Sequence, residues 1–167
     1  GAMNLNFGAN DDFGVEAGEA RIALDIGAVD RQHGLRAEPD PRAPITVSLP
    51  LPITGDRRNF EESLVENFSE HPWANLPVTI TLTALDAAEQ QAKAHMSTVT
   101  LPGRRFFDPL AAAIIEQRRD LLWARKNTKR ISQILRAVSH LPENVFRREI
   151  DQLRLRRVIK RMEILSS

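Results

Sequence analysis

Apolar and polar residues alternate along several short segments in the first hundred residues of the chain. Apolar side chains fill every second position of residues 19–26 and of residues 45–49. Residues 78–85 show the clearest alternation, and β-branched side chains occupy both of its faces. A period of two is typical of strands that bury one face. The pattern therefore predicts strands in these three segments, and it adds residues 60–67 and 94–101 as weaker candidates.

The pattern changes at Pro102, beyond which apolar residues recur at helical spacing. Asp108 followed by Pro109 predicts a helix start, because Asp accepts hydrogen bonds from free amides and Pro suits the first helical position. We expect one amphipathic helix to about Lys126, a second directly after it, and a third that Pro142 opens. The third helix carries an apolar stripe of Phe146, Ile150, Leu153, Val158, Met162 and Leu165.

Several short strands followed by helices predict an all-β immunoglobulin-like sandwich and then an α-helical segment of two or three helices. The sandwich is assigned to residues 5–103 and the helical extension to residues 104–167. The opening Gly1-Ala2-Met3 has the sequence of a protease-cleavage scar, so residues 1–4 are interpreted as a tag remnant or linker.

The two predicted segments differ in charge. Residues 1–103 contain 7 Lys and Arg against 15 Asp and Glu, whereas residues 104–167 contain 16 against 7, and the whole chain carries a net charge of +1. Such asymmetry predicts one of two arrangements. Either the basic helices pack on the acidic sandwich within the chain, or the basic surface serves a partner.

Motifs that carry catalytic chemistry are missing from the sequence. The chain has no cysteine, no Gly-x-Ser-x-Gly motif and no glycine-rich phosphate loop. Glu116 with Arg119, and Asp120 with Arg119 or Arg118, are interpreted as surface ion pairs that contribute little to stability. Four histidines lie at no metal-binding spacing: His33, His71, His95 and His140. We therefore expect a module that is not an enzyme, with no cofactor and no metal.

Two groups of residues suggest binding sites but have simpler interpretations. Asp11, Asp12 and Asp86 would supply carboxylates for calcium if two turns met at one end of the sandwich. Aspartate is also a frequent turn former, and we favour that role. His71 beside Trp73 suggests a ligand pocket, but a tryptophan that closes the end of the apolar core is favoured here.

The candidate interaction surface lies on the last predicted helix, where four arginines recur at roughly helical spacing: Arg147, Arg154, Arg157 and Arg161. A basic ridge of this kind fits anionic lipid headgroups, an anionic cell-wall polymer or nucleic acid. The alternatives are a solvated face, or a face that packs on the acidic sandwich or on another chain. The apolar stripe of the same helix would pack on the two preceding helices or pair with a copy of itself.

Three motifs carry a resemblance to a known family. Residues 11–15 are Asp-Asp-Phe-Gly-Val, and residues 71–78 are His-Pro-Trp-Ala-Asn-Leu-Pro-Val. Residues 101–106 are Leu-Pro-Gly-Arg-Arg-Phe and lead into the first predicted helix. In this order and spacing, over about residues 9–125, the chain resembles domain-of-unknown-function family 4175, a group of large uncharacterised bacterial envelope proteins anchored in the inner membrane.

This resemblance implies a location and a set of partners. In the family, the region follows membrane-spanning helices and is placed outside the cytoplasm, which implies a periplasmic fragment of a membrane-anchored parent. The implied partners are other envelope proteins or further copies of the chain, and nucleic acid is excluded in that compartment. The family has no established catalytic or binding residues to transfer.

A looser similarity connects the chain to bacterial immunoglobulin-like modules. These modules open with an Asp-Asp-x-Gly turn, and their last hairpin follows an Ala-x-Asp-x-x-Gly motif. Residues 84–89 of this chain fit that motif except that Glu89 replaces the glycine. The replacement leaves the turn type open, because glycine is the residue that adopts a positive φ without strain.

These observations together predict an extracytoplasmic interaction or scaffold module of a membrane-anchored envelope protein, acting by surface burial and not by chemistry. Two alternatives remain at this point. One is a module that binds cell-wall polysaccharide or anionic lipid, and the other is a nucleic-acid binder built on the basic helices.

Overall fold

The computed structural model of the chain describes residues 1–140, 146 and 148–166, and of Ser97 only the backbone. The chain forms two compact units. Unit 1 comprises Gly1–Val29 and Arg42–Arg104. Unit 2 comprises Asp30–Pro41 and Arg105–Ser167.

Unit 1 contains two sheets of antiparallel strands. The strands are β1 (Ala2–Asn10), β2 (Val15–Leu24), β3 (Ile45–Ser48), β4 (Asn59–Asn67), β5 (Pro77–Asp86) and β6 (Gln91–Thr100). β1 and β4 form a two-stranded sheet, and the second sheet has the order β3-β2-β5-β6. Each of the five predicted segments coincides with one strand, which confirms the interpretation of the alternating pattern. The predicted ends of residues 19–26, 45–49 and 94–101 extend one or two residues beyond β2, β3 and β6.

The strand β1 differs from the sequence prediction, because it includes residues that were interpreted as a tag remnant or linker. It pairs with β4 from Ala2 opposite Asn67 to Asn10 opposite Asn59. Met3 and Leu5 are buried and alternate with exposed neighbours. Residues 2–4 therefore belong to the sheet, because the Met3 side chain contributes to the core of unit 1.

The core of unit 1 is built on the two central strands of the larger sheet. Ala20 and Ile22 of β2 and Val78 and Ile80 of β5 are at most 2% exposed. They belong to every second pair of the β2–β5 ladder, in which Ala20 lies opposite Leu82, Ile22 opposite Ile80, and Leu24 opposite Val78. Burial of each large aliphatic side chain contributes about 1.5–3 kcal/mol to folding.

Unit 2 contains three α-helices: α1 (Pro109–Trp123), α2 (Thr128–Ser139) and α3 (Glu149–Ser166). The Asp108 carboxylate accepts a hydrogen bond from the Ala111 amide at 2.9 Å, which confirms the predicted helix start. α1 ends three residues before the predicted Lys126, because Ala124 is extended and a 3₁₀ turn follows it. The predicted role of Pro142 concerns a residue outside the described part of the chain.

The apolar face of α3 packs on α2. Buried side chains of α2 and α3 form one cluster: Ile131, Leu135, Leu155, Ile159 and Met162. Partly buried side chains of α1 pack against this cluster.

This packing face is not the predicted stripe. Of the stripe, Met162 is buried and Phe146 is partly buried against the cluster, whereas the other members are about half exposed or more: Ile150, Leu153, Val158 and Leu165. The prediction that the stripe packs on the preceding helices is therefore wrong for most of its residues, because Leu155 and Ile159 face α2 in their place. Among the described residues, no helix combines the length and apolar character needed to cross a membrane.

Candidate interaction surface

The face of α3 that points away from α2 carries the predicted arginines. Arg154, Arg157 and Arg161 are all exposed. At 100° per residue they lie within roughly 60° of one another and more than a quarter turn from Leu155, which faces α2. Arg147 lies outside the described residues.

Exposed apolar side chains lie among these arginines. Ile150 is 51% exposed, Leu153 54% and Ile164 66%, and helical spacing places all three on the same side of α3. The α3 ridge is defined here as Ile150, Leu153, Arg154, Arg157, Arg161 and Ile164. The aliphatic stems of arginine extend the apolar area between the charges.

The charges of the α3 ridge are only partly neutralised. Arg154 lies 3.5 Å from the Asp151 carboxylate, and both side chains are largely exposed. The ion pairs among the described residues include neither Arg157 nor Arg161. The ridge therefore offers apolar contact and positive charge together, a combination that suits a partner surface with apolar and acidic groups.

A buried polar centre fixes the neighbouring part of unit 2. The Asp120 side chain is fully buried, and its carboxylate lies 3.1 Å from Arg119 and 3.0 Å from Arg130. It also accepts a hydrogen bond from the Gly34 amide at 3.1 Å. The interpretation of Asp120 and Arg119 as a surface pair is therefore wrong, because the segment around Gly34 covers the carboxylate.

Residues 30–41 pack on α1 through this polar centre. The Asn127 side-chain amide donates to the Gly34 carbonyl at 2.9 Å, and the Trp123 indole N–H donates to the Ala37 carbonyl at 2.7 Å. The Arg31 guanidinium donates to the Leu35 carbonyl at 2.6 Å and lies 5.8 Å from the centroid of the Trp123 ring. These contacts explain why residues 30–41, which the sequence assigned to the sandwich, lie with the helices in unit 2.

Two of the three aspartates that suggested a calcium site, Asp11 and Asp86, accept hydrogen bonds from the backbone of their own turns. Asp11 accepts from the Phe13 amide at 3.2 Å. Asp86 accepts from the amides of Ala88 at 2.9 Å and Gln90 at 2.7 Å. Groups of three acidic or histidine side chains that would hold a metal are not found within the described residues. The observed bonds are those of the turn-forming role.

The turn after β5 contains the glutamate that stands in place of glycine. Glu89 has a φ of 61°, which is the left-handed region where glycine is favoured. Its amide donates to the Asp86 carbonyl at 3.1 Å, which closes the turn. The turn therefore keeps the backbone conformation that glycine favours, and Glu89 is strained in it because it carries a side chain.

His71 and Trp73 contact each other in unit 1. Trp73 is 6% exposed, its ring lies edge-on to the His71 ring with centroids 5.0 Å apart, and its amide donates to His71 Nδ1 at 3.1 Å. Partial burial, with a further contribution from the positive charge of Arg42, lowers the pKa of His71. Trp73 thus has the buried packing role favoured from the sequence.

Two of the motifs behind the family resemblance meet in unit 1. The Asn75 amide donates to the Leu101 carbonyl at 2.8 Å, and the Leu101 amide donates to the Leu76 carbonyl at 2.9 Å. A side-chain carbon at Gly103 would lie 2.3 Å from the side-chain nitrogen Nδ2 of Asn75, so a larger residue at this position would have to displace that side chain. Backbone hydrogen bonds therefore join the two motifs directly.

Comparison with known proteins agrees with the resemblance. The family model described as Domain of unknown function (DUF4175) matches residues 1–167. No curated protein and no solved structure matches the chain. Because the family model covers all of its residues, the chain belongs to the DUF4175 family of domains of unknown function.

Proposed function

We propose that the chain is a non-catalytic interaction or scaffold module of a membrane-anchored envelope protein, located in the periplasm. The α3 ridge is the surface through which it acts, and its partner is another envelope protein or a second copy of the chain. The observation that carries the proposal is the combination of Leu153, about half exposed, with the exposed Arg157 on the outer face of a packed helix.

The ridge has the composition of a binding surface. Burial of one exposed large aliphatic side chain contributes about 1.5–3 kcal/mol. Arginine is among the residues that most often dominate the energy of protein interfaces. α3 is also fixed to α2 on the side opposite the ridge, since its buried face packs on α2 and Arg136 of α2 pairs with Glu163 of α3. A rigid support reduces the entropy that binding would cost.

Unit 1 is proposed to be an immunoglobulin-like sandwich that supports the module. The strand order β3-β2-β5-β6 corresponds to strands C′, C, F and G of such a sandwich. The β1–β4 pair corresponds to strands B and E. A solved experimental structure of unit 1 with a different pairing of these strands would contradict this assignment.

The test of the α3 ridge is photo-crosslinking in the periplasm of cells that produce the chain. A photoreactive amino acid at position 153 is expected to give a discrete crosslinked product, since Leu153 lies within the ridge. The same amino acid at position 156 is the control, because the exposed Arg156 lies outside the ridge. Equal products from both positions, or none from position 153, would rule out the ridge as the contact surface.

Light scattering of the purified chain separates the two kinds of partner. If the crosslinked product is a dimer of the chain, Leu153→Glu is expected to reduce an oligomeric mass to that of the monomer. If the product contains another protein, the purified chain is expected to remain a monomer with or without the substitution.

A second candidate function is the binding of anionic lipid, and the three arginines exposed on one side of α3 favour it. Vesicles that contain anionic phospholipid would then retain the chain at low salt, whereas vesicles of neutral phospholipid would not. Replacement of Arg154, Arg157 and Arg161 by glutamate is expected to abolish this retention. Unchanged retention by the triple variant would exclude the ridge as the lipid contact.

A further inference from the structure

A cleft opens between the two sheets of unit 1, separate from the α3 ridge. It has a volume of about 340 Å³. Its lining is mainly apolar and comes from both sheets: Phe7, Phe60, Leu82, Ala84, Ala92 and Ala94. β1 therefore borders one side of this cleft and β6 borders the other.

The face of β6 that points into the cleft is uncovered. Ala94 pairs with Leu82 and Ala92 pairs with Ala84, and paired residues of antiparallel strands lie on the same face of a sheet. Both β6 alanines are exposed, whereas residues of β5 farther along the same face, such as Ile80, are buried. The larger sheet thus presents an apolar strip that the β1–β4 sheet does not reach.

One edge of β1 is open. The Asp11 amide donates to the Arg58 carbonyl at 2.7 Å, and this pair continues the β1–β4 register. Hydrogen-bonded pairs alternate along an antiparallel ladder, so the odd-numbered residues of β1 bond to β4. Asn4, Asn6 and Gly8 therefore direct their backbone groups to the other edge. Among the described residues no backbone group pairs with that edge.

We propose that the open edge of β1 and the uncovered face of β6 form an acceptor groove for an extended strand of a partner polypeptide. An unpaired edge of a nine-residue strand presents backbone donors and acceptors at strand spacing, and another strand is the partner that matches this spacing. The apolar strip next to it accepts side chains from every second residue of that strand. The small side chains of Ala92 and Ala94 leave room for large apolar groups.

The strand order supports the same occupant. In an immunoglobulin-type sandwich, strand A pairs with the strand that corresponds to β1. The added strand would take that place, which no described strand occupies. The partner segment is therefore extended, about as long as β1, and apolar at alternate positions.

A second copy of this chain that pairs through β1 would not fill the groove. If two β1 strands paired edge to edge, the apolar side chains of each, Met3 and Leu5, would remain in the core of their own unit. The face of β6 would stay uncovered in both copies. This groove is distinct from the α3 ridge, so the proposal goes beyond the proposed function, and only its strand-order argument rests on the sandwich assignment proposed there.

The test measures binding of a synthetic peptide to the whole chain by fluorescence anisotropy. In the peptide, valine alternates with threonine over about nine residues, and lysines at both ends keep it soluble. Asn6→Pro removes a backbone N–H from the open edge of β1, and Ala94→Arg places a positive charge in the groove. Each substitution is expected to weaken binding at least tenfold. Because position 94 is exposed, the second variant remains informative if the first does not fold.

The matched controls keep the groove intact. Asn6→Val loses the same hydrogen bond from Ser63 but keeps the backbone N–H. His95→Arg adds the same charge on the opposite face of β6, where His95 pairs with Thr81. Both are expected to bind within twofold of the unchanged chain.

A fused version of the peptide excludes a false negative from weak affinity. Joined ahead of Gly1 through an Asn-Gly turn, it lies at high effective concentration and is expected to raise the Tm by about 5 °C or more. The proposal is overturned if the free peptide fails to bind at about 1 mM and the fusion leaves the Tm unchanged. Equal affinity for the Ala94→Arg variant, or a dimer joined through β1, also overturns it.

Discussion

Gly34 and Asp120 lie 86 positions apart in the chain, yet the Gly34 amide donates a hydrogen bond to Asp120 Oδ2 at 3.1 Å. The space between them is so small that a side-chain carbon at position 34 would lie 2.2 Å from that oxygen. Two arginines, Arg119 and Arg130, neutralise the carboxylate. The polar centre of unit 2 therefore depends on a glycine that the sequence motifs do not include.

Substitution of Gly34 by alanine is expected to destabilise the chain by about 3 kcal/mol. The added methyl group displaces the Asp120 carboxylate from its hydrogen bond and from the two arginines. Urea unfolding monitored by tryptophan fluorescence measures the change. Gly27→Ala is the control, because its nearest neighbour outside the adjoining residues is 3.6 Å away, and it is expected to change stability by less than about 0.5 kcal/mol. A Gly34→Ala variant as stable as this control would contradict the packing described for Asp120.

Substitution of Glu89 by glycine is expected to stabilise the chain by about 1 kcal/mol. Glu89 has a φ of 61°, and left-handed backbone costs a residue with a side chain about 1–2 kcal/mol relative to glycine. The higher entropy of glycine in the unfolded chain offsets part of this gain. Thermal unfolding of Glu89→Gly beside Glu89→Ala separates the effect of φ from loss of the carboxylate. A stabilisation shared by both variants would show that strain is not the cause.

Stability is expected to fall as the pH is lowered below about 6.5, because the pKa of His71 is lowered by burial, with a smaller contribution from Arg42. As the pH falls, His71 is protonated in the unfolded chain before it is protonated in the folded chain. The free energy of unfolding therefore has its full value above the pKa of the unfolded state, and it decreases as the pH falls to the pKa of the folded state. His71→Asn keeps an acceptor for the Trp73 amide and is expected to reduce this pH dependence. An NMR titration of the His71 ring with a midpoint at or above 6.5 would contradict the prediction.

Substitution of Gln117 by methionine is expected to stabilise unit 2 by about 1 kcal/mol. Oε1 of Gln117 is buried and has no hydrogen-bond partner among the described residues. A thioether of similar length fills the same space without an unsatisfied acceptor. The exposed Gln133 of α2 is the matched control, and Gln133→Met is expected to leave the unfolding free energy unchanged. Equal effects at the two positions would point to helix propensity as the cause.

The sequence by itself determined most of the local structure. The alternation in residues 19–26 and 78–85 corresponds to β2 and β5, because a strand with one buried face has a period of two whatever its neighbours are. Asp108 begins α1 through a hydrogen bond within a single turn, so its neighbours in the chain are sufficient to predict it. The division into strands followed by helices depends on the same local patterns.

The tertiary structure alone decided how these elements combine. The alternation of Met3 and Leu5 is present in the sequence, but it becomes a strand through pairing with β4 more than fifty residues away. Burial of Asp120 depends equally on distant residues, because the segment around Gly34 covers it. Sequence periodicity describes one face of one element, whereas burial, strand order and open edges depend on which other elements lie beside it. For this reason the arginines of α3 could be identified from their spacing, and the groove between β1 and β6 could not.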